Sequence, residues 1–307
     1  MKKNTCFIVL SLLAVSSVYA QQNNTGLSPL FNPVVKAELP NEISETSGLF
    51  FHNGRLWTHN DSGGKPILYA IDTVNFKVAQ RITLAKVNNN DWEDICTDGT
   101  TVFVGDFGNN RGNRKDLRIY TFPLSAIPEE GDATLEVSPI SFRFADQVNF
   151  EKRKMNDFDC EAMFVTNDGL YLFSKSWETD VTRLYRLPKT SGNYVAEVVN
   201  SFRSNGLVTG ADYDPKNNLL VFVGYVNKIW TPFIQLIFDF DEHGNNLVAN
   251  HRYEMPNHLA TQIEGVCFYD DGKCYVSAET SYAFKSRLFD LDFRKIIDEY
   301  RKKSQKK

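Results

Sequence analysis

The feature that most constrains this 307-residue chain is a recurring hairpin. Each copy has a short apolar run that begins next to polar or acidic residues, a turn, and a second apolar run. The copies are 46–51 and 56–61 around Asn53-Gly54, then 91–95 and 102–106 around Asp98-Gly99, then 159–165 and 170–175 around Asp168-Gly169. Two more follow: 209–214 and 219–223 around Asn217-Asn218, and 262–268 and 274–279 around Asp271-Gly272. With Ser47, Glu93, Glu161, Gly210 and Glu264 aligned, the copies lie 46, 68, 49 and 54 residues apart. Asn-Gly and Asp-Gly between β-type runs are hairpin turns, because their backbones enter the left-handed region cheaply.

Each interval holds two further strand-like runs: 67–71 and 78–82, 117–120 and 140–144, 183–187 and 194–196, 233–237 and 247–249. Four strands in roughly 50 residues is the spacing of a β-propeller blade. The last copy has one later run, 287–291, and 33–39 supplies the missing outer strand. The expected fold is therefore all-β, a five-bladed β-propeller closed by an N-terminal strand. A six-bladed propeller and a two-sheet sandwich are the alternatives. The one helical stretch is 293–302.

Residues 1–20 read as a secretory signal peptide: Lys2 and Lys3, an apolar run, then Val18-Tyr19-Ala20. A single propeller domain is expected over 21–300 and a basic tail over 301–307. Localisation is then secreted, periplasmic or at the cell surface, with no integral membrane segment after cleavage and a monomeric state. Without Lys2 and Lys3 the formal charge moves from −4 to −6. That balance excludes a broad nucleic-acid footprint. Cys96, Cys160, Cys267 and Cys274 have no metal-binding spacing and read as buried free thiols. The turn at Asp271-Gly272 sets Cys274 opposite Tyr269.

In a propeller the residues before the first strand and after the second share one rim of the central channel. This places Glu45, Asp91, Glu93, Asp159, Glu161 and Glu264 near Asp61, Asp106, Lys175 and Glu279. Crowded carboxylates need compensation, and oxygen-only ligation favours Ca2+. The expected metal set is Glu93, Asp106, Glu161, Glu264, Asp61 and Glu45. The other reading is structural, with these acids accepting backbone N–H groups or pairing with Lys175. The expected ligand-binding set is Arg111, Arg114, Lys175, Asn109, Asn110 and His59; the two arginines suit an anionic group. No nucleophilic or metalloprotease motif is present, and no catalytic residue is assigned.

Ser44-Glu45-Thr46-Ser47-Gly48-Leu49, Asp91-Trp92-Glu93-Asp94-Ile95 and the 105–110 loop resemble exported bacterial propellers of the SdiA-regulated and phytase-like esterase type. That resemblance implies a five-bladed propeller, bound calcium and metal-dependent hydrolysis of phosphate or carboxylic esters. The chain departs from the phytase-like relatives in lacking a run of lysines for a polyphosphorylated substrate. The competing expectation is a non-catalytic binding or scaffold propeller for a small molecule, a glycan or a protein.

Overall fold

The strand-forming runs lie where the hairpin pattern sets them. The computed structural model describes residues 31–226, 230–247 and 251–306, so the expected signal peptide lies outside the described residues. At the first turn both residues take the left-handed backbone that a two-residue hairpin requires, with φ of 48° at Asn53 and 72° at Gly54, whereas Asp168 and Gly169 do not enter it. At the next turn Gly99 has φ of 85°, and the Asp98 side chain accepts the amides of Thr100 and Thr101.

The strands form antiparallel meanders. One sheet runs Thr46–His52, Arg55–Asn60, Ile67–Asp72, Val78–Leu84, with Ala133–Leu135 added in parallel at its edge. An eight-stranded sheet joins Trp92–Thr97, Thr101–Asp106, Leu117–Pro123 and Ser138–Phe144 to Gly192–Arg203, Val181–Leu187, Leu170–Lys175 and Asp159–Val165. Its two halves meet where Ser138–Phe144 pairs in parallel with Gly192–Arg203. The remaining sheets are Leu207–Asp214, Leu219–Val226, Thr231–Phe238, Arg252–Glu254, and Ile263–Asp270, Lys273–Ala278, Arg287–Asp292, Val35–Glu38. Val35–Glu38 pairs antiparallel with Arg287–Asp292, so an N-terminal strand completes the last sheet. These parallel additions cover strand edges that would otherwise invite pairing with another chain.

The first strands of successive meanders pack on one another, and the one at Ile263–Asp270 packs on the one at Thr46–His52. That closed ring of inner strands is a β-propeller and not a two-sheet sandwich. Inner strands are covered on both faces, which explains why Asp159–Val165 is buried throughout while Val78–Leu84 alternates. Close approach at the axis needs small residues: a Cβ on Gly48 would collide with the backbone of Asp94 and Ile95. The core is aromatic, with the cross-strand pairs Phe164 and Tyr171 stacked at 5.1 Å and Phe50 and Trp57 at 5.7 Å. Burying each such side chain stabilises the fold by about 2–3 kcal/mol.

Every inner strand carries a β-bulge at the same level. The register slips between Thr46 and Leu49, Trp92 and Asp94, Cys160 and Ala162, Val208 and Gly210, and Ile263 and Gly265. The extra residue is one of Ser47-Gly48, which together face His59, and then Glu93, Glu161, Thr209 and Glu264. Thr209 rather than Gly210 is therefore the partner of the three glutamates, because the bulge and not the small residue marks the level. Two other expectations are corrected. The outer strand of the 207–254 sheet is Arg252–Glu254 and not 247–249, of which 248 and 249 lie outside the described residues. A second bulge before Asp270 pairs Cys274 with Phe268 instead of Tyr269. All four cysteines are buried free thiols.

The terminal helix is Arg294–Ser304, so it takes in the start of the expected basic tail. It is held by buried Ile297 and by Tyr300, stacked on Phe238 at 4.1 Å. Arg301, Lys302 and Lys303 in its last turn suit the negative end of the helix dipole. Among the described residues, no helix is long and apolar enough to cross a membrane.

Candidate functional site: an acidic channel mouth

A bulge changes which face a side chain takes, and such devices cluster beside functional sites. Here it turns Glu93, Glu161 and Glu264 into one opening, joined by residues from the ends of the second strands. Asp61, Asp91 and Glu93 come closest: one carboxylate oxygen from each lies within 4.8 Å of the others. A single ion with oxygen bonds of about 2.4 Å spans that separation.

Local chemistry brings the three together. Asn89 clamps two segments, donating to the carbonyls of Asn60 and Asp61 at 2.9 and 2.7 Å while accepting the Trp92 amide at 3.1 Å. Asp91 and Glu93 flank Trp92, whose ring is fully buried against His59 and Tyr120. The loop after Asp106 returns so closely that a Cβ on Gly108 would overlap Glu93 Oε1 and the Asp91 carboxylate. Only glycine allows that approach.

Glu93 is 2 % exposed, and its Oε1 has no hydrogen-bond partner. A buried carboxylate oxygen without a donor costs free energy unless a proton or cation satisfies it. Burial and the neighbouring carboxylates of Asp61, Glu161 and Asp91 hold the Glu93 carboxyl well above the usual range. Burial first, then Asp91, raises Asp61 to about 7; burial, then Asp159, raises Asp91 to about 6. The donor set is all oxygen and fits a hard cation.

Beside this triad stands Lys175, 5 % exposed, with its ammonium 2.9 Å from the Glu161 carboxylate. The ammonium also lies over the rings of Trp177 at 5.2 Å and Tyr225 at 5.5 Å. Glu161 and the other acids hold Lys175 protonated against the cost of burial. Glu264 and Glu279 complete the opening, raised by burial to about 8 and about 7 against the pull of Lys175. One ammonium thus faces Asp61, Glu161, Glu264 and Glu279, so the carboxyl groups of the mouth outnumber its cation.

The other residues singled out from the sequence have different places. Asp106 is fully buried and committed to donors from Arg114 (2.9 Å), Asn90 (3.1 Å), the Asp91 amide (3.2 Å) and Tyr120 (3.3 Å). It therefore braces the 105–114 loop instead of joining the triad. Arg114 is bound to Asp106 and to the Gly108 carbonyl, so it holds this loop and not an external anion. Asn109 is also internal, donating to the Phe158 carbonyl and accepting the Arg114 amide. His59 is fully buried, and burial lowers its pKa to about 4, leaving a neutral core imidazole. Glu45 is exposed, and its backbone ties to Asn60 and Asp61. Arg111 and Asn110 are exposed on the loop, with the Asn110 amide 3.5 Å from Asp91.

Asn89 and Tyr225 had no place in the sequence reading, and Asp91 was placed at the rim but outside the metal set. The doublet Asn89-Asn90 before Asp91 was the available signal. Asp159, another rim acid, accepts the Asn109 amide at 2.8 Å and the Trp177 indole at 2.9 Å, a scaffold role.

No protein-family model matches the chain, and no curated protein does either. Among solved structures it is similar to the PQQ-bound aldose sugar dehydrogenase of Streptomyces coelicolor, at 10% identity over 87% of this chain and 99% of that one, with a TM-score of 0.49. A GH43 endo-arabinanase from Bacillus licheniformis is 12% identical over 87% and 96% of the two chains, TM-score 0.46. A glucose dehydrogenase is 9% identical over 84% and 99%, TM-score 0.46. These likenesses concern the path of the chain alone.

Proposed function

We propose that this chain is a five-bladed propeller whose channel mouth binds a divalent cation, Ca2+ by preference, through Asp61, Asp91 and Glu93. The observation that carries the reading is the unpartnered, buried Glu93 Oε1 within one ion's reach of two further carboxylates. The five-blade count rests on one bulged inner strand per meander. The sequence resemblance to exported SdiA-regulated and phytase-like propellers supports the same reading, with the protein acting outside the cytoplasm. Asp61 and Glu93 remain from the ligand set expected from sequence, and Asp91 replaces Asp106, Glu161, Glu264 and Glu45.

The ligand is a small anionic or polar molecule, because Lys175 offers a protonated ammonium beside the cation site, with Trp177 and Tyr225 as aromatic walls. As an enzyme the protein is a hydrolase of phosphoesters or carboxylic esters, for which the cation would acidify a water. In that reading Lys175 neutralises charge on the ligand, and the Glu161 carboxylate fixes the ammonium.

Calorimetry on metal-stripped protein tests the cation reading. Ca2+ binding that Glu93→Gln abolishes supports it, and no binding at millimolar Ca2+ refutes it. A panel of phosphomonoesters, phosphodiesters and lactones with and without Ca2+ tests the hydrolase; uniform inactivity leaves a binding protein. The scaffold alternative draws on the internal engagement of Asp106 and Asp159, which are satisfied without an ion. It predicts glycan or protein binding that chelators leave unchanged.

A further inference from the structure

Arg287 opens the third strand of the closing sheet, opposite Ala278, two strands out from the inner strand Ile263–Asp270. It is 7 % exposed, yet among the described residues it forms no ion pair. Its Nε has no hydrogen-bond partner, and its terminal nitrogen donates to the Thr261 hydroxyl. The guanidinium stacks 3.9 Å from the Phe284 ring and 5.4 Å from the Phe289 ring. Phe284 is itself exposed to solvent. Burial lowers the Arg287 pKa with no carboxylate opposing it.

The other strongly buried cations among the described residues have their anions: Lys175 has Glu161, Arg114 has Asp106 and Arg252 has Glu254 at 3.7 Å. The carboxylate opposite Arg287 in the register, Glu38 on Val35–Glu38, is exposed and faces Lys285 at 3.8 Å instead. The segments outside the described residues (1–30, 227–229, 248–250 and 307) contain no Asp or Glu. A buried, unpaired guanidinium is destabilising, and its planar fork matches a carboxylate or phosphate.

We propose that Arg287, with the Thr261 hydroxyl, is an anion-binding site for a phosphate or carboxylate group, distinct from the acidic mouth. Thr261 precedes Glu264 by three residues in the sequence. The anion is either free in solution or the acidic end of a larger ligand whose remainder lies over the mouth.

The test is inorganic phosphate and, separately, acetate, titrated against the full-length protein in chelator without divalent cations, read by melting temperature and calorimetry. Either anion is expected to raise the melting temperature and to bind at one site per chain. Arg287→Met should abolish that binding while melting no lower than the wild type without anion, since it removes an unpaired charge. Thr261→Val should weaken binding by about tenfold, and it serves as the readout if Arg287→Met does not fold. Glu93→Gln should leave anion binding unchanged, which separates this site from the cation site. Binding of free phosphate or acetate marks a site for the small anion. Binding that needs a longer dicarboxylate or phosphate ester, lost in the same variants, marks the end of a larger ligand. Absence of any anion effect, or one that persists in Arg287→Met, would overturn the proposal.

Discussion

The Lys175 ammonium lies 2.9 Å from the Glu161 carboxylate, with the two side chains 7 % and 6 % exposed. A buried pair of this kind contributes little beyond an apolar pair of equal volume, but losing one member is severe. Lys175→Met should cost about 3–5 kcal/mol, because it leaves Glu161 charged or forces it to take a proton. Lys175→Met combined with Glu161→Leu should recover most of that loss. Urea denaturation of the three variants measures it, and an undiminished penalty in the double variant would refute the pairing argument.

Gly108 should be as important to the cation site as the carboxylates themselves. A methyl group there meets Glu93 Oε1 and Asp91 directly. Gly108→Ala is expected to lower Ca2+ affinity at least tenfold at a stability cost of about 1–3 kcal/mol. Titration calorimetry beside a melting curve separates the two effects.

Asp94 ties inner strands together, accepting the Met163 amide at 2.7 Å and, more weakly, the Ala211 amide at 3.4 Å from two other inner strands. Asp94→Ala would strand both N–H groups in a buried position, at roughly 1–3 kcal/mol each. Asp94→Asn keeps an acceptor and should cost less. The order of their denaturation midpoints is the check.

The metal-free protein should lose stability as pH rises. Burial raises the carboxyls of Glu264 and Glu279 from the ordinary 4.5 to about 8 and about 7. Between those values the folded chain holds protons that the unfolded chain has released, so the stabilising contribution is full below pH 4.5 and disappears as pH passes 7 to 8. Urea midpoints in chelator should therefore be lower at pH 8.5 than at pH 5. Saturating Ca2+ should recover part of the loss at the higher pH, through binding to the folded state alone.

The hairpins were legible because short apolar runs and Asn-Gly or Asp-Gly turns are local properties. Closure by the N-terminal strand was legible too, since the last copy lacked a partner for 287–291. Arg252–Glu254 was not, because a three-residue edge strand half exposed on every side chain has no apolar signature. The site was half readable. Acids at strand ends announce a charged rim, but which of them share an ion depends on partners chosen in three dimensions. Asp106 looked equal to Asp61 until Arg114, eight positions on, turned back to pair with it. The bulge that aligns Glu93, Glu161, Thr209 and Glu264 has no sequence signature of its own, which is why Gly210 stood in for Thr209.

Diffraction from crystals grown with Mn2+ or Ca2+ locates any cation held at the channel mouth. The account predicts one anomalous peak at the channel mouth, within about 2.1–2.6 Å of a carboxylate oxygen from each of Asp61, Asp91 and Glu93, and its disappearance in Glu93→Gln. A mouth filled by ordered water alone, with Glu93 Oε1 bonded to it at millimolar cation, would contradict the account.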